Sequence, residues 1–153
     1  MKHKPVLPIL RPPQIILALI VISIGLHYNF PIKQIIYFPY NLLSITGIVI
    51  GLWLAMWGKK TFRKLDTPLR PGEKPKKVVT EGPFKFSRNP IYLGFVIFLL
   101  GVTVLFGSLI AFISPVIFFL IIHFVFIPFE EKLMEKTFGK KYLNYKGKVR
   151  KWI

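Results

Sequence analysis

The sequence predicts an all-α integral membrane protein of about four transmembrane helices, with a helical hairpin and a cytoplasmic amphipathic C-terminal helix. Three observations predict this. Apolar residues make up 53% of the 153 residues, with a mean hydropathy of +0.53. The stretch from Ile91 to Phe129 holds no Asp, Glu, Lys or Arg, so it exceeds the roughly 20 residues that cross a bilayer once and fits two crossings. The charged residues, 18% of the chain, fall in blocks between the apolar runs.

At this length the chain reads as a single domain, residues 1–153. The first predicted span, 14–30, is closed by Asn29 and Pro31. The second, 40–58, lies between Pro39 and the Lys59-Lys60 pair. The uncharged stretch folds back near Gly107-Ser108, giving spans 91–106 and 109–127. A turn that short makes the last two antiparallel neighbours. A cytoplasmic loop, 59–90, and a tail, 128–153, complete the chain. In the second span Gly47, Gly51 and Ala55 recur every fourth residue, a stripe that lets helices approach closely. It can pack within the bundle or build a dimer. In the tail, Phe129, Leu133, Met134 and Phe138 share one helical face among lysines, and Gly139 interrupts the helix. Such a segment can lie among lipid headgroups.

Charge sets the expected orientation. The N-terminal segment carries Lys2, Lys4 and Arg11, the 59–90 loop ten bases against three acids, and the tail eight bases. The opposite-side connections hold only Lys33. With four spans every basic segment falls on one side, which the positive-inside rule makes cytoplasmic. The net charge of +16 therefore points to a lipid bilayer with anionic headgroups, and no nucleic-acid partner is expected. Without cysteine, disulfides, thiolate zinc sites and cysteine nucleophiles are excluded. No cleaved signal peptide is expected, because Met1 to Pro13 is broken by four prolines and no small-residue cleavage pattern follows.

The motifs of soluble enzymes are missing: there is no GxGxxG, P-loop, HExxH or GxSxG. The three histidines are scattered, so no metal site is expected. His123 lies inside the fourth apolar run, either as a functional ionisable group or as a neutral imidazole bonded to a neighbouring helix.

Two segments carry candidate chemistry. From Lys76 to Gly94 the chain is polar and turn-rich, with Gly82-Pro83 and Asn89-Pro90 marking turns. Pro90 suits the first turn of the third span, and Asn89 is a natural N-cap. Phe84, Phe86 and Tyr92 interleave with Arg88 and Asn89, a mixture that can grip something planar and polar at the membrane surface. The second segment is Glu130-Glu131. These carboxylates are either first-turn acids of a tail helix started by Pro128, favourable to its dipole, or groups that face a cation. Residue physics leaves both readings open.

Together the segments resemble the membrane methyltransferase superfamily that includes isoprenylcysteine carboxyl methyltransferases and phospholipid N-methyltransferases. The resemblance rests on Val-Thr-Glu-Gly-Pro-Phe-Lys-Phe-Ser-Arg-Asn-Pro-Ile-Tyr-Leu-Gly at 79–94, Glu-Glu at 130–131, Phe-Gly-Lys-Lys-Tyr-Leu-Asn-Tyr at 138–145 and Val-Arg-Lys-Trp-Ile at 149–153. It covers roughly the C-terminal half, in the right order and spacing. It implies S-adenosyl-L-methionine as cofactor, bound between the spans and the cytoplasmic tail without a Rossmann fold. Carried over, Lys76, Lys77, Val78 and Val79 would line the cofactor through their backbone. Phe84 would pack near it, Asn89, Pro90, Ile91 and Tyr92 would hold its polar end, and Glu130 or Glu131 would meet its charged groups. Arg88 would pair with the methionyl carboxylate. Glu130, Glu131 and Arg88 are the candidate catalytic residues.

Two departures stand out. Isoprenylcysteine enzymes typically place His where this chain has Asn89, whereas Asn is familiar among the bacterial relatives. They carry an Arg shortly before the glutamates, where this chain has the apolar run 118–128. The resemblance implies methyl transfer to a lipophilic or membrane-accessible acceptor, an isoprenylcysteine-like carboxylate or a phospholipid amine, in a bacterial or archaeal cell membrane. A small thiol or amine acceptor, and a non-catalytic protein with the same fold, are the alternatives. An amine or alcohol needs a general base, for which Glu130, Glu131 and His123 are the candidates.

Overall fold

A computed structural model describes residues 11–30, 33–66 and 75–153. The bases Lys2, Lys4, Arg70 and Lys74, and Pro31, lie outside the described residues. The described chain is all-α: α1 (Pro12–Asn29), α2 (Ser44–Lys64), α3 (Pro90–Phe106), α4 (Ile113–Ile121), α5 (Ile127–Phe138) and α6 (Lys140–Lys148). A single-turn 3₁₀ segment, Tyr40–Leu43, leads into α2, and another, Leu109–Phe112, leads into α4.

Local chemistry sets each end. Pro12 and Pro13 occupy the first turn of α1, where no N–H partner exists to lose. Asn29 closes α1 by donating from Nδ2 to the Gly25 carbonyl at 2.8 Å. Helix α3 starts at Pro90 and stops at Gly107, whose φ of 69° lets its N–H bond back to Thr103 and Val104. A Cβ at Gly107 would stand 2.1 Å from the Ile36 carbonyl oxygen, so glycine is required there twice over. That turn meets the 33–36 connection, where the Ile35 N–H donates to the Gly107 carbonyl at 2.8 Å. The hairpin at Gly107-Ser108 is therefore as expected.

The predicted break between fourth span and tail is absent. Helices α4 and α5 are joined by a π-helical turn, Ile122–Phe126, into one apolar rod reaching from Leu109 to Phe138. Pro128 is the reason. It has no N–H for the carbonyl four residues back, and its ring would crowd that carbonyl. Widening the turn accommodates it, and the Ile127 N–H bonds to Ile122 five residues back. Glu130 and Glu131 thus stand within a continuous helix, which removes the reading of them as acids at a fresh helix start. The break at Gly139 does occur, between α5 and α6.

Helix α3 is the centre of the bundle. Its partner α2 meets it through the glycine stripe: a Cβ on Gly51 would lie 2.5 Å from the Phe98 nitrogen, and one on Gly94 would lie 2.6 Å from the Gly51 oxygen. The stripe therefore packs inside the chain. Helix α1 packs chiefly on α4 and α3. A buried hydroxyl pair, Ser23 Oγ to Ser114 Oγ at 2.5 Å, joins α1 to α4, and Ser114 also reaches the Leu19 carbonyl at 3.2 Å. Leu99, Phe118, Ile122, Phe126 and Ile127 form the fully buried core. Outward, the helices expose large apolar side chains such as Leu17, Val21, Ile50, Trp53, Val116 and Phe124. Among the described residues, three helical segments are long and apolar enough to cross a membrane, and α3, at 17 residues, is a shorter apolar helix. An apolar exterior of this kind suits lipid and not water.

Candidate functional site

One end of the bundle encloses a cavity of about 380 Å³, within the roughly 300–1,000 Å³ range of small-molecule sites. Its walls come from segments far apart in sequence: the start of α1, the end of α2, the 75–89 segment, and the first turns of α3, α5 and α6.

The 75–89 segment is folded onto α2. Gly82, at φ 57°, backs onto Thr61 and Trp57, where a Cβ would meet Thr61 Oγ1 at 2.9 Å. Beside it Phe84 is buried and meets Phe62 edge-on, with ring centroids 5.1 Å apart. The segment ends at Ser87, Arg88 and Asn89, all turned inward. Ser87 Oγ, not the Asn89 side chain, accepts at the helix start, from the Asn89 N–H at 3.1 Å. Asn89 occupies the N-cap position without capping. Its Nδ2 instead donates to the Lys151 carbonyl at 2.9 Å.

Arg88 has the same orientation toward the tail. Its guanidinium pairs with Glu131 Oε1 at 2.8 Å and donates to the carbonyls of Lys146 at 2.9 Å and Val149 at 3.2 Å, while its backbone N–H bonds the Arg150 carbonyl at 3.0 Å. The side chains of Arg88 and Glu131 are only 9% and 11% exposed. Lys146 completes the group, 3.0 Å from Glu131 and 2.7 Å from Glu135, and these carboxylates, Glu135 first, hold its ammonium above its ordinary pKa. Tyr145 donates to the Phe84 carbonyl at 2.7 Å. Burial pushes its phenol up to about 12, against the opposing field of Arg88, so it stays a donor at neutral pH. Trp152 then donates from Nε1 to His123 Nδ1 at 3.0 Å and stacks on Phe119. That bond ties His123 to the tail, and His123 does not line the cavity.

The two glutamates have separated. Glu131 neutralises Arg88 and Lys146, whereas Glu130 has no ion pair among the described residues and accepts from the Tyr92 hydroxyl at 2.6 Å. Arg88 Nε is buried with no hydrogen-bond partner among the described residues.

The structure brings together most of the residues singled out from sequence: Lys77, Val79, Phe84, Arg88, Asn89, Pro90, Ile91, Tyr92, Glu130 and Glu131 all line the cavity. Lys76 pairs with exposed Asp66 at 2.5 Å, holding that carboxyl below its usual pKa, and Val78 is buried away from the lining. Sequence reasoning missed Arg11, Lys59, Phe62, Arg63 and Phe95, and the tail tyrosines Tyr142 and Tyr145. The spacing of Lys59 and Arg63, one helical turn apart, was the available signal for that pair. Nothing local marks Arg11.

The chain is similar to protein-S-isoprenylcysteine O-methyltransferase B of Arabidopsis thaliana, 35% identical over 132 residues, 77% of this chain and 64% of that protein. It is similar to protein-S-isoprenylcysteine O-methyltransferase of Schizosaccharomyces pombe, 36% identical over 75 residues, 47% of this chain and 30% of that one. An uncharacterized protein of Haemophilus influenzae is 38% identical over 63 residues, 41% of this chain and 100% of its own length. The chain thus spans less than two thirds of either named enzyme. No solved structure matches. The family model described as phospholipid methyltransferase matches residues 39–141, a stretch that takes in α2, α3, the Arg88–Tyr92 wall and both glutamates. With its apolar helices and that match across two thirds of its length, this integral membrane protein belongs to the phospholipid methyltransferase family.

Proposed function

We propose that the chain is an S-adenosylmethionine-dependent methyltransferase acting on a lipophilic or membrane-accessible acceptor, with the cavity as its active site on the cytoplasmic side. The observation that carries this reading is the division of charge inside the cavity: Glu130 stands without a cation, beside an aromatic wall of Phe84, Tyr92 and Tyr142. That donor set fits the cofactor. A cation between Glu130 and aromatic faces is favoured both by the carboxylate and by the ring quadrupoles. Arg88 Nε is a buried donor left over for a carboxylate, since the rest of the guanidinium already serves Glu131 and the tail.

When bound, S-adenosylmethionine supplies a methyl group activated by its positive sulfur. The chain's residues do the rest. Glu130 faces the positive charge, with its orientation set by the Tyr92 hydroxyl, and it is the carboxylate placed to accept a proton from an amine or alcohol acceptor. Glu131 positions Arg88, and Arg88 with Asn89 holds the tail across the cavity, excluding water and aligning the reactants. The cavity's walls include the start of α1 and the end of α2, two helices that expose apolar side chains, so the acceptor can reach it sideways from the bilayer.

Calorimetry with S-adenosylmethionine on the purified full chain in detergent, followed by labelled-methyl transfer to extracted lipids and to soluble thiols and amines, tests this. Micromolar binding with label in the lipid fraction is expected. No heat and no thermal stabilisation up to millimolar cofactor would reject the catalytic reading. Turnover of a soluble acceptor alone would reject only lateral access. Reporter fusions after Lys33 and after Lys151 should report opposite sides of the membrane, with Lys151 cytoplasmic.

A further inference from the structure

The rim of the cavity gathers more positive charge than the cofactor accounts for. Arg11 stands at the start of α1, Lys59 and Arg63 lie one turn apart near the end of α2, and Lys77 comes from the extended segment. All of them line the cavity. Lys60 and Lys64, on the same turns of α2, do not. No ion pair holds the four rim cations among the described residues. The carboxylates there are engaged elsewhere or remote: Asp66 with Lys76, Glu131 with Arg88 and Lys146, Glu135 with Lys146, Glu130 with Tyr92, and exposed Glu81 off the lining. Lys77 does feel the Asp66 charge.

Two details turn this from a basic surface into a built rim. The Lys59 ammonium sits 5.4 Å from the centroid of the Phe95 ring, a contact that directs it inward while leaving its N–H donors free. Arg11 stands at the positive end of the α1 dipole, in a first turn with no acid, so the helix adds to its charge where a carboxylate would offset it. Like charges brought together in this way repel, and an anion between them removes the repulsion.

The position selects the anion. The start of α1 and the end of α2 are two walls of one cavity. Both expose apolar side chains, Leu17 and Val21 on α1, Leu52 and Met56 on α2. A basic pocket between transmembrane helices at headgroup depth is the setting in which anionic lipid headgroups bind. We propose that Arg11, Lys59, Arg63 and Lys77 form a site for the phosphate headgroup of an anionic glycerophospholipid drawn from the surrounding leaflet. This lipid is held at the rim of the assigned cavity and is not the methyl acceptor, so the proposal rests on that site but not on the identity of its reaction.

Native mass spectrometry of the full chain in detergent, titrated with phosphatidylglycerol and with phosphatidylcholine, tests it. The wild type should retain phosphatidylglycerol selectively. Lys59→Gln/Arg63→Gln should bind it roughly 30-fold more weakly, from the loss of two headgroup cations. Lys132→Gln/Lys136→Gln, with the same charge change away from the lining, should bind as wild type, and Lys59→Arg/Arg63→Lys should retain binding. Circular dichroism and gel filtration establish that each variant is folded, and the charge-retaining pair decides the matter if the neutral pair is not. Equal weakening in both neutral pairs would leave only general surface charge and overturn the site, as would equal retention of the two lipids or loss of binding in the charge-retaining pair. Competition by millimolar inorganic phosphate would identify a soluble anion and overturn the lipid. Displacement by S-adenosylhomocysteine would give these cations to the cofactor and overturn a separate site.

Discussion

Between α2 and α3, Gly51 and Gly94 bring two backbones into contact, and no hydrogen bond between side chains joins those helices among the described residues. At the cavity, Arg88, Asn89 and Tyr145 tie the tail to the rest of the chain through six hydrogen bonds or ion pairs, with little glycine involved. In lipid, burial of apolar surface gives no advantage between helices, so close van der Waals approach holds the seam. At headgroup depth, water competes for polar groups, and the chain must offer charges and carbonyls that are buried together. The two regions should therefore fail in different ways.

The largest effect is expected at the polar end. Arg88→Met leaves Glu131 buried beside Lys146 alone and releases the tail carbonyls, a loss of about 3–5 kcal/mol. Denaturant unfolding in detergent, with limited proteolysis of the tail, should show it; a tail that remains protected would mean that Trp152 and Tyr145 hold it unaided. Next, Glu130→Gln should weaken cofactor binding roughly 30-fold or more, about 2–5 kcal/mol for a desolvated charge pair, with unfolding nearly unchanged. Glu131→Gln should do the reverse in emphasis, destabilising the fold. Identical behaviour of the two variants in calorimetry and unfolding would erase the division of labour between them.

At the seam, Gly51→Ala should cost about 1–3 kcal/mol, because the added methyl meets main-chain atoms that cannot turn aside. Gly25→Ala in α1 meets nothing within 4 Å and should be neutral or stabilising by about 0.5–1 kcal/mol. Equal melting temperatures for the two would contradict backbone contact as the basis of the seam. The smallest effect belongs to Ser23→Ala, about 0.6 kcal/mol in the same unfolding assay, since Ser114 keeps its bond to the Leu19 carbonyl.

Much of this was legible beforehand. Hydropathy located the apolar helices, and Asn29, Pro90, Gly107 and Gly139 marked ends that the structure keeps. Composition and order carried the resemblance on which the candidate site rests, and ten of its residues do meet in one cavity. Other features were not legible. The natural N-cap, Asn89, spends its side chain on Lys151, because the tail offers a carbonyl that no local rule anticipates. Pro128, read as the start of a new helix, is absorbed by a π turn.

The sequence by itself determined the all-α class, the apolar spans, the gathering of positive charge and the segments that carry the family resemblance. These follow from composition and short-range spacing, which act within a few residues of chain. Only the tertiary structure decided which glutamate is free and which is paired, that Arg88 serves the tail, and that cations from α1 and α2 share a rim. Each of those depends on side chains far apart in sequence meeting in a poorly solvated space. There, who pairs with whom is settled by which charges are buried together, and local pattern does not contain that information.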